Sequence, residues 1–171
     1  MRNKRYTNTT FTKRVDHEAG RHRTRRSLPE PLICDGCGAT YSHRRWTRAG
    51  ELKTDRSATK QTAKGTLCPA CKQEHDGVAS GFVYVKGEFS IRHRDQIGRL
   101  LKNEAKRDAQ DNPLARIIGW EETDEQLLVK TTTEHLAQRL GHALEKAFDG
   151  VVRYDFSHEN KLARVYWERS I

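Results

Sequence analysis

The chain has 171 residues, a length that suits one globular domain or two small ones. Only 35% of its residues are hydrophobic, and 32 Lys and Arg against 23 Asp and Glu give a formal net charge of +9. No apolar run is long enough to span a bilayer, and no apolar core follows the basic start as it would in a signal peptide. These features predict a cytoplasmic protein with no membrane partner.

The positive charge is concentrated in the first half of the chain. Residues 1–30 carry nine basic and three acidic side chains, residues 31–90 carry nine and six, and residues 91–171 carry fourteen of each. Charge that serves only solubility would not need to be concentrated in one half of the chain. A surface that binds a polyanion would, because Lys and Arg contact phosphates and release condensed counterions. The distribution therefore indicates a nucleic-acid partner.

The first 30 residues contain few large apolar groups and cannot bury enough surface to offset the entropy of ordering. We predict a disordered basic arm over residues 1–30, followed by a second unit over residues 31–89. A polar, basic stretch over residues 47–66 lies inside that unit and is predicted to be a long mobile loop. Residues 78–85 at its end have the composition of a strand.

From residue 90 to residue 171 the pattern predicts an α+β domain in the order α-β-β-α-β-β, with an antiparallel sheet. Ser90 is the expected start of the first helix, and Asn112-Pro113 its end. Two strand-like runs follow, over residues 114–120 and 126–131. Thr131 and Glu134 have the spacing of a capping box for the second helix, and alternating runs over residues 152–156 and 163–167 close the domain.

The four cysteines form two pairs, Cys34-Asp35-Gly36-Cys37 and Cys68-Pro69-Ala70-Cys71. Two residues between the cysteines of a pair allow one tight turn to direct both sulfurs at the same tetrahedral ion. Two such turns from two hairpins complete a four-cysteine zinc ribbon, with Cys34, Cys37, Cys68 and Cys71 as ligands. Four thiolates leave no open coordination position, so the predicted Zn²⁺ is structural.

Other uses of the cysteines fit less well. Disulfides are uncommon in a reducing compartment, and a redox Cys-x-x-Cys needs only one pair in a βαβ unit. Iron also accepts four thiolates, so the spacing alone leaves zinc and iron open. His75 follows the second pair closely, but the four thiols already complete a site, and we expect a surface histidine.

Basic and aromatic residues follow the first cysteine pair, and this combination of residue types is typical of proteins that bind unpaired RNA. In such proteins bases stack on aromatic rings and guanidinium groups bind phosphates. Trp46 fits this stacking role, and it also fits a position in the small core of the ribbon. The predicted RNA-contacting residues lie in the arm, beside the cysteines and in the loop: Arg2, Lys4, Arg5, Lys13, Arg14, Arg21, Arg23, Arg25, Arg26, Arg44, Arg45, Trp46, Arg48, Lys53, Arg56, Lys60 and Lys64.

No catalytic constellation emerges from the sequence. There is no Gly-rich phosphate loop, no His-Glu-x-x-His, no nucleophile elbow and no cysteine beyond the four. His135 and His142 lie on one side of the second predicted helix without a third partner. We therefore expect a protein that is not an enzyme and has no small-molecule substrate.

Several segments together resemble a known family. They are Leu28-Pro29-Glu30-Pro31, Cys34-Asp35-Gly36-Cys37-Gly38-Ala39-Thr40-Tyr41, Leu67-Cys68-Pro69-Ala70-Cys71, Asp76-Gly77 and Thr131-Thr132-Thr133-Glu134-His135-Leu136-Ala137. Their order, over about residues 28–168, is similar to short bacterial relatives of the large-ribosomal-subunit export adaptor, the nonsense-mediated-decay-three family. Longer members have more Cys-x-x-Cys pairs and a nuclear-export tail, so export is not carried over. The resemblance implies a zinc-containing protein that binds the large ribosomal subunit through rRNA.

The sequence thus predicts a non-enzymatic zinc protein that binds RNA on the large ribosomal subunit, with ribosomal proteins as further contacts, in assembly, quality control or dormancy. Two alternatives stay open. The first is a DNA-binding zinc-ribbon transcriptional regulator, although no helix has the basic face of a recognition helix. The second is a protein-interaction module in which zinc serves only to hold the fold.

Overall fold

The computed structural model describes residues 28–50, 66–157 and 161–170. The predicted arm over residues 1–30 lies outside these ranges except for its last three residues. Most of the loop predicted over residues 47–66 also lies outside them. Within the described ranges, no helix combines the length and the apolar character needed to cross a membrane.

Two sheets organise the described residues. The first contains the short antiparallel strands β1 (Leu32–Ile33), β2 (Thr40–Ser42) and β3 (Arg45–Thr47), and helix α1 (Pro69–Asp76) follows it in the chain. The elements of the second sheet and its helices are β4 (Gly81–Lys86), α2 (Glu88–Arg92), α3 (Arg94–Asp111), β5 (Ile117–Glu122), β6 (Gln126–Thr131), α4 (Glu134–Phe148), β7 (Val151–Ser157) and β8 (Leu162–Glu168).

The second sheet has five strands in the order β5-β6-β4-β8-β7. The predicted antiparallel pairing is confirmed within both hairpins and between β4 and β6, whereas the central β4–β8 pair is parallel. Strand β4 precedes the boundary predicted between residues 89 and 90, yet it lies at the centre of this sheet. An α+β fold is therefore observed, and the strand predicted over residues 78–85 belongs to this sheet as its central strand β4.

The main hydrophobic core lies between this sheet and the helices α3 and α4. Val83, Val129 and Val165 stand side by side on β4, β6 and β8 and are fully buried. Alternate residues of each strand face the helices, as expected for a sheet covered on one side. Gly81 permits the close approach of α4, because a Cβ atom there would lie 2.6 Å from the Cβ atom of Ala137.

The ends of the helices differ from the predicted ones. Thr133, not Thr131, caps α4, since its hydroxyl oxygen accepts from the backbone N–H of Leu136 at 3.1 Å. Thr131 instead donates its hydroxyl to the carbonyl of Thr133 at 2.8 Å. Ser90 lies inside α2, where its hydroxyl donates to the Gly87 carbonyl at 2.7 Å, so the single predicted helix is two helices.

Strand β5 begins three residues later than predicted. A turn after α3, in which the backbone N–H of Ala115 donates to the carbonyl of Asn112 at 2.9 Å, directs Leu114 away from the strand. Leu114 is buried in a second hydrophobic cluster with the cysteines and β1–β3. We call residues 28–50 and 66–80 the metal unit, and Leu114 thus links it to the sheet.

Candidate metal centre

The two cysteine pairs occupy two different local structures. Cys34 and Cys37 lie in the turn between β1 and β2, which closes when the backbone N–H of Cys34 donates to the Ala39 carbonyl at 2.8 Å. Cys68 is the N-cap of α1, and Cys71 lies in the first turn of that helix. The predicted pair of hairpins is therefore wrong for the second pair, which is presented by a helix.

The sequence around the second pair explains this helix. Pro69 occupies the first helical position, where its missing N–H costs nothing, and Gly77 ends the helix in the left-handed conformation with φ of 66°. At the start of the helix the backbone N–H of Cys71 donates to the Cys68 sulfur at 3.4 Å. The helix N-terminus thus supplies a donor to a sulfur as well as two ligand positions.

The four sulfur atoms lie within 4.8 Å of one another. The Sγ atoms of Cys37 and Cys68 are 3.7 Å apart, close to the ~3.8 Å between sulfurs that surround zinc tetrahedrally with bonds of ~2.3 Å. Three of the cysteines are buried and Cys37 is half-buried. The predicted grouping of Cys34, Cys37, Cys68 and Cys71 is confirmed, and these residues can hold one metal ion.

The surroundings of the sulfurs favour a bound cation. Burial opposes ionisation of Cys34, but backbone N–H groups of Cys68, Cys37 and Gly36 lower the pKa of its thiol to about 7. Burial raises the pKa of Cys68, and the neighbouring sulfurs of Cys37 and Cys34 raise it further. Burial also raises the pKa of Cys71, and a cation bound between the sulfurs would offset the cost of ionising Cys68 and Cys71.

Gly36 provides the space that this grouping needs. A Cβ atom at position 36 would lie 2.9 Å from the sulfur of Cys71 and 3.3 Å from its Cβ atom. Real Cβ atoms do not come this close to another heavy atom, so any larger residue would displace a ligand. The glycine between the first two cysteines is thus a requirement of the site.

Arg116 lies beside the cysteines, a position that the sequence did not reveal. Its Nη1 atom lies 3.3 Å from the Cys71 sulfur and 3.4 Å from a carboxylate oxygen of Glu74, and its Nε donates to the Pro113 carbonyl at 3.2 Å. Burial opposes its charge, but hydrogen bonds to Cys37 and Cys71 raise the pKa of Arg116. A divalent ion held by four thiolates would form a centre with two negative charges, and the guanidinium of Arg116 would offset part of that charge.

A buried glutamine also joins the metal unit to the sheet. Gln73 on α1 is 2% exposed, and its Nε2 donates to the hydroxyl of Ser80 and to the carbonyl of Thr132, both at 3.0 Å. Thr132 follows β6 directly. Together with Leu114 and Arg116, this contact fixes the metal unit to one end of the five-stranded sheet.

The structure separates the predicted RNA-contacting residues into three groups. Arg44, Arg45 and Arg48 are exposed on and after the β2–β3 hairpin, as the prediction requires. Trp46 is 7% exposed and its ring packs 5.3 Å from that of Tyr41, so it belongs to the core of the metal unit and does not offer a free stacking surface. The other predicted contacts lie outside the described residues: Arg2, Lys4, Arg5, Lys13, Arg14, Arg21, Arg23, Arg25, Arg26, Lys53, Arg56, Lys60 and Lys64.

His75 lies at the surface, as predicted, and its ring nitrogen lies 3.0 Å from the carboxylate of Asp76.

The fold and the site together define the class of protein, which is an α+β protein with a four-cysteine centre at one end of its sheet. No family model, curated protein or solved structure matches the chain. The assignment to this class therefore rests on the geometry described above.

Proposed function

We propose that this chain is a non-enzymatic, zinc-containing protein that binds RNA. Zinc is the metal proposed for the four sulfurs, because it accepts tetrahedral thiolate sites and because four protein ligands leave no position for a reacting water. Its part is to hold the small metal unit, whose strands have two or three residues each. Bound zinc stabilises such units by ~10–16 kcal/mol at neutral pH.

The position of the charge carries the proposal. Residues 1–27 contain nine basic and two acidic residues, and residues 51–65 contain four and two, so these two segments account for the entire net charge of +9. One segment ends where the metal unit begins, and the other lies between Gly50 and Thr66 within it. The backbone N–H of Asp35, beside the metal ligands, donates to the Thr66 carbonyl at 3.0 Å. Both cationic segments are thus joined in the chain to residues of the metal unit.

The described surface next to these segments adds further cations. Glu30 accepts hydrogen bonds from the backbone N–H groups of His43 and Arg44 at 2.7 and 2.8 Å, which fixes the turn between β2 and β3. The carboxylate of Glu30 binds the backbone of this turn, and the side chains of Arg44 and Arg45 are exposed. Phosphates are the partners that such a cationic surface selects.

The ribosome is the proposed location of the RNA. The resemblance of residues 28–168 to the export adaptor of the large subunit supports rRNA of that subunit, with ribosomal proteins as additional contacts, and a role in assembly, quality control or dormancy in the cytoplasm. The four-cysteine centre and the adjacent cationic segments suit such a structured polyanion.

The test is a binding titration of the full-length protein with a structured rRNA fragment and with duplex DNA of equal length. If about six phosphates are neutralised in single-stranded parts of the RNA, log affinity falls with log salt with a slope near −4. Removing three exposed arginines (Arg44→Gln, Arg45→Gln, Arg48→Gln) is expected to weaken binding and flatten this slope. The matched control removes three cations from the helices (Lys106→Gln, Arg107→Gln, Lys146→Gln). Affinity for RNA that does not depend on salt, or tighter binding to duplex DNA, would refute the proposal.

A further inference from the structure

One face of the five-stranded sheet takes no part in either hydrophobic core. Helices α3 and α4 pack on the side formed by Val83, Val129, Val165 and their neighbours. The alternate residues of the same strands form the opposite side, which we call the open face. Strand register brings six of its side chains into two adjacent rows: Lys130, Phe82 and Arg164 in one, and Tyr84, Tyr166 and Arg153 in the other. Neither core cluster of the described residues includes any of the six.

The second row is a stack of flat groups that crosses three strands. The rings of Tyr84 on β4 and Tyr166 on β8 are 4.9 Å apart and 9° from parallel. The guanidinium carbon of Arg153 on β7 lies 4.6 Å from the centre of the Tyr166 ring, which continues the stack. Arg153 is exposed on an edge strand, and within the described part of the chain it has no carboxylate partner. The row therefore ends on an exposed guanidinium that a further flat group can reach.

The first row places an aromatic ring between two cations. Phe82 lies opposite Lys130 of β6 on one side and opposite Arg164 of β8 on the other. Lys130 forms an ion pair with Glu121, and Nη1 of Arg164 lies 3.9 Å from a carboxylate oxygen of Asp155. Both cations thus stand beside the ring, and their partners are exposed carboxylates that a phosphate can replace.

We propose that the open face binds single-stranded RNA. An unpaired base stacks on the guanidinium of Arg153 and extends the Tyr84–Tyr166 stack, and a neighbouring base contacts Phe82. Lys130 and Arg164 bind the phosphates on either side. Sheets that present aromatic residues on central strands bind single-stranded RNA in this manner, and arginine planes stack on bases as rings do. This inference rests on the proposed RNA-binding function and names the surface that contacts bases.

The composition of the face favours RNA over a protein partner or a second copy of the chain. The centre of a protein–protein interface is depleted of charged residues, whereas here Phe82 lies between Lys130 and Arg164, and Tyr166 lies opposite Arg153. Lys86, which is exposed and lies two residues after Tyr84 on the same strand, is the fourth cation of this face, which also holds the three carboxylates of Glu121, Asp155 and Glu168. Next to the Tyr84–Tyr166 stack the open face has one large aliphatic side chain, that of Leu128, which lies opposite Tyr84.

The test compares binding of the full-length protein to oligouridylate with that of variants. Tyr84→Leu with Tyr166→Leu retains apolar bulk and removes the rings, and Arg153→Gln removes the guanidinium. Each change is expected to weaken binding about tenfold, the typical effect of losing one stacked base. Tyr84→Phe with Tyr166→Phe retains the rings and is expected to bind as the parent chain does. Lys146→Gln, on the opposite side of the sheet, is the matched control for charge. Circular dichroism confirms that each variant is folded.

The outcomes separate this inference from the proposed function. If the parent chain binds RNA and the leucine and glutamine variants bind it equally well, the open face is not the binding surface, although RNA binding stands. If the parent chain binds no RNA, both fail. If the variants instead break up a dimer in sedimentation, the face is an interface between copies and the inference is wrong. Crosslinking with thiouridine-containing RNA should label residues 82–84 and 153–166, and labelling confined to the metal unit would overturn the proposal.

Discussion

Replacing Arg116 should weaken metal binding without removing a ligand. The Arg116 guanidinium donates to the sulfur of Cys71 at 3.3 Å, and its side chain is 23% exposed, so solvent only partly replaces the lost interaction. A hydrogen bond to a charged group contributes ~1.5–3 kcal/mol, which corresponds to a change of about tenfold to 150-fold in an equilibrium constant. Changes in groups that support metal ligands typically cost ~10–100-fold in metal affinity. The two estimates agree, and we expect Arg116→Gln to weaken zinc binding by about one to two orders of magnitude.

The assay is the transfer of zinc from the full-length protein to a chromogenic chelator, measured as an equilibrium constant. Arg116→Lys retains the charge but not the planar group, and we expect it to fall between Arg116→Gln and the parent chain. Arg92→Gln is the control, because Arg92 is an exposed arginine on α2 that pairs with Glu88. Equal zinc affinity in Arg116→Gln and the parent chain would show that the guanidinium does not stabilise the site.

Three further changes test the packing of the sheet and helices in urea unfolding experiments. Gly81→Ala should destabilise the protein by about 2 kcal/mol or more, because the Cβ atom of the new alanine would lie 2.6 Å from the Cβ atom of Ala137 on α4. An unchanged midpoint of urea unfolding would mean that α4 can move away freely. Arg139→Met should lower the free energy of unfolding by about 2 kcal/mol, because it removes the 3.1 Å contact to the carboxylate of Asp108. The Asp108 side chain is 5% exposed and that of Arg139 is 30% exposed. Adding Asp108→Asn should restore part of this loss, and no restoration would refute the ion-pair explanation. Burial raises the pKa of Tyr154 above its ordinary value of 10.0, so the free energy of unfolding should fall as pH rises above that value, because Tyr154 ionises more readily in the unfolded chain. Tyr154→Phe removes a buried hydroxyl that has no partner among the described residues, and it should abolish the loss of stability that Tyr154 causes at alkaline pH.

The sequence predicted the parts of this protein that depend on local pattern. The Cys-x-x-Cys spacing identified all four sulfurs that converge in the structure, because two intervening residues suffice to bring a pair together. The two hairpins and the long helix α4 followed from alternation and helical periodicity. Strand β6 was predicted with the bounds that the structure shows.

Features that depend on distant contacts could not be predicted in this way. Arg116 is 45 positions from Cys71, and nothing in its neighbours indicates that it reaches a sulfur. Strand β4 was recognised as a strand, but its central place in the sheet depends on pairing with β6 and β8, which lie far along the chain. Trp46 had a basic neighbourhood that suggested RNA, and only the packing of its ring beside Tyr41 showed that it is buried.

Native mass spectrometry of the purified full-length chain tests the central claim most directly, together with a count of reactive thiols. The account predicts one zinc ion per chain, four thiols that do not react until a chelator is added, and loss of hydrogen-exchange protection in residues 32–47 and 69–76 once zinc is removed. A chain that carries no metal, with four reactive thiols and the same protection in these residues, would contradict it.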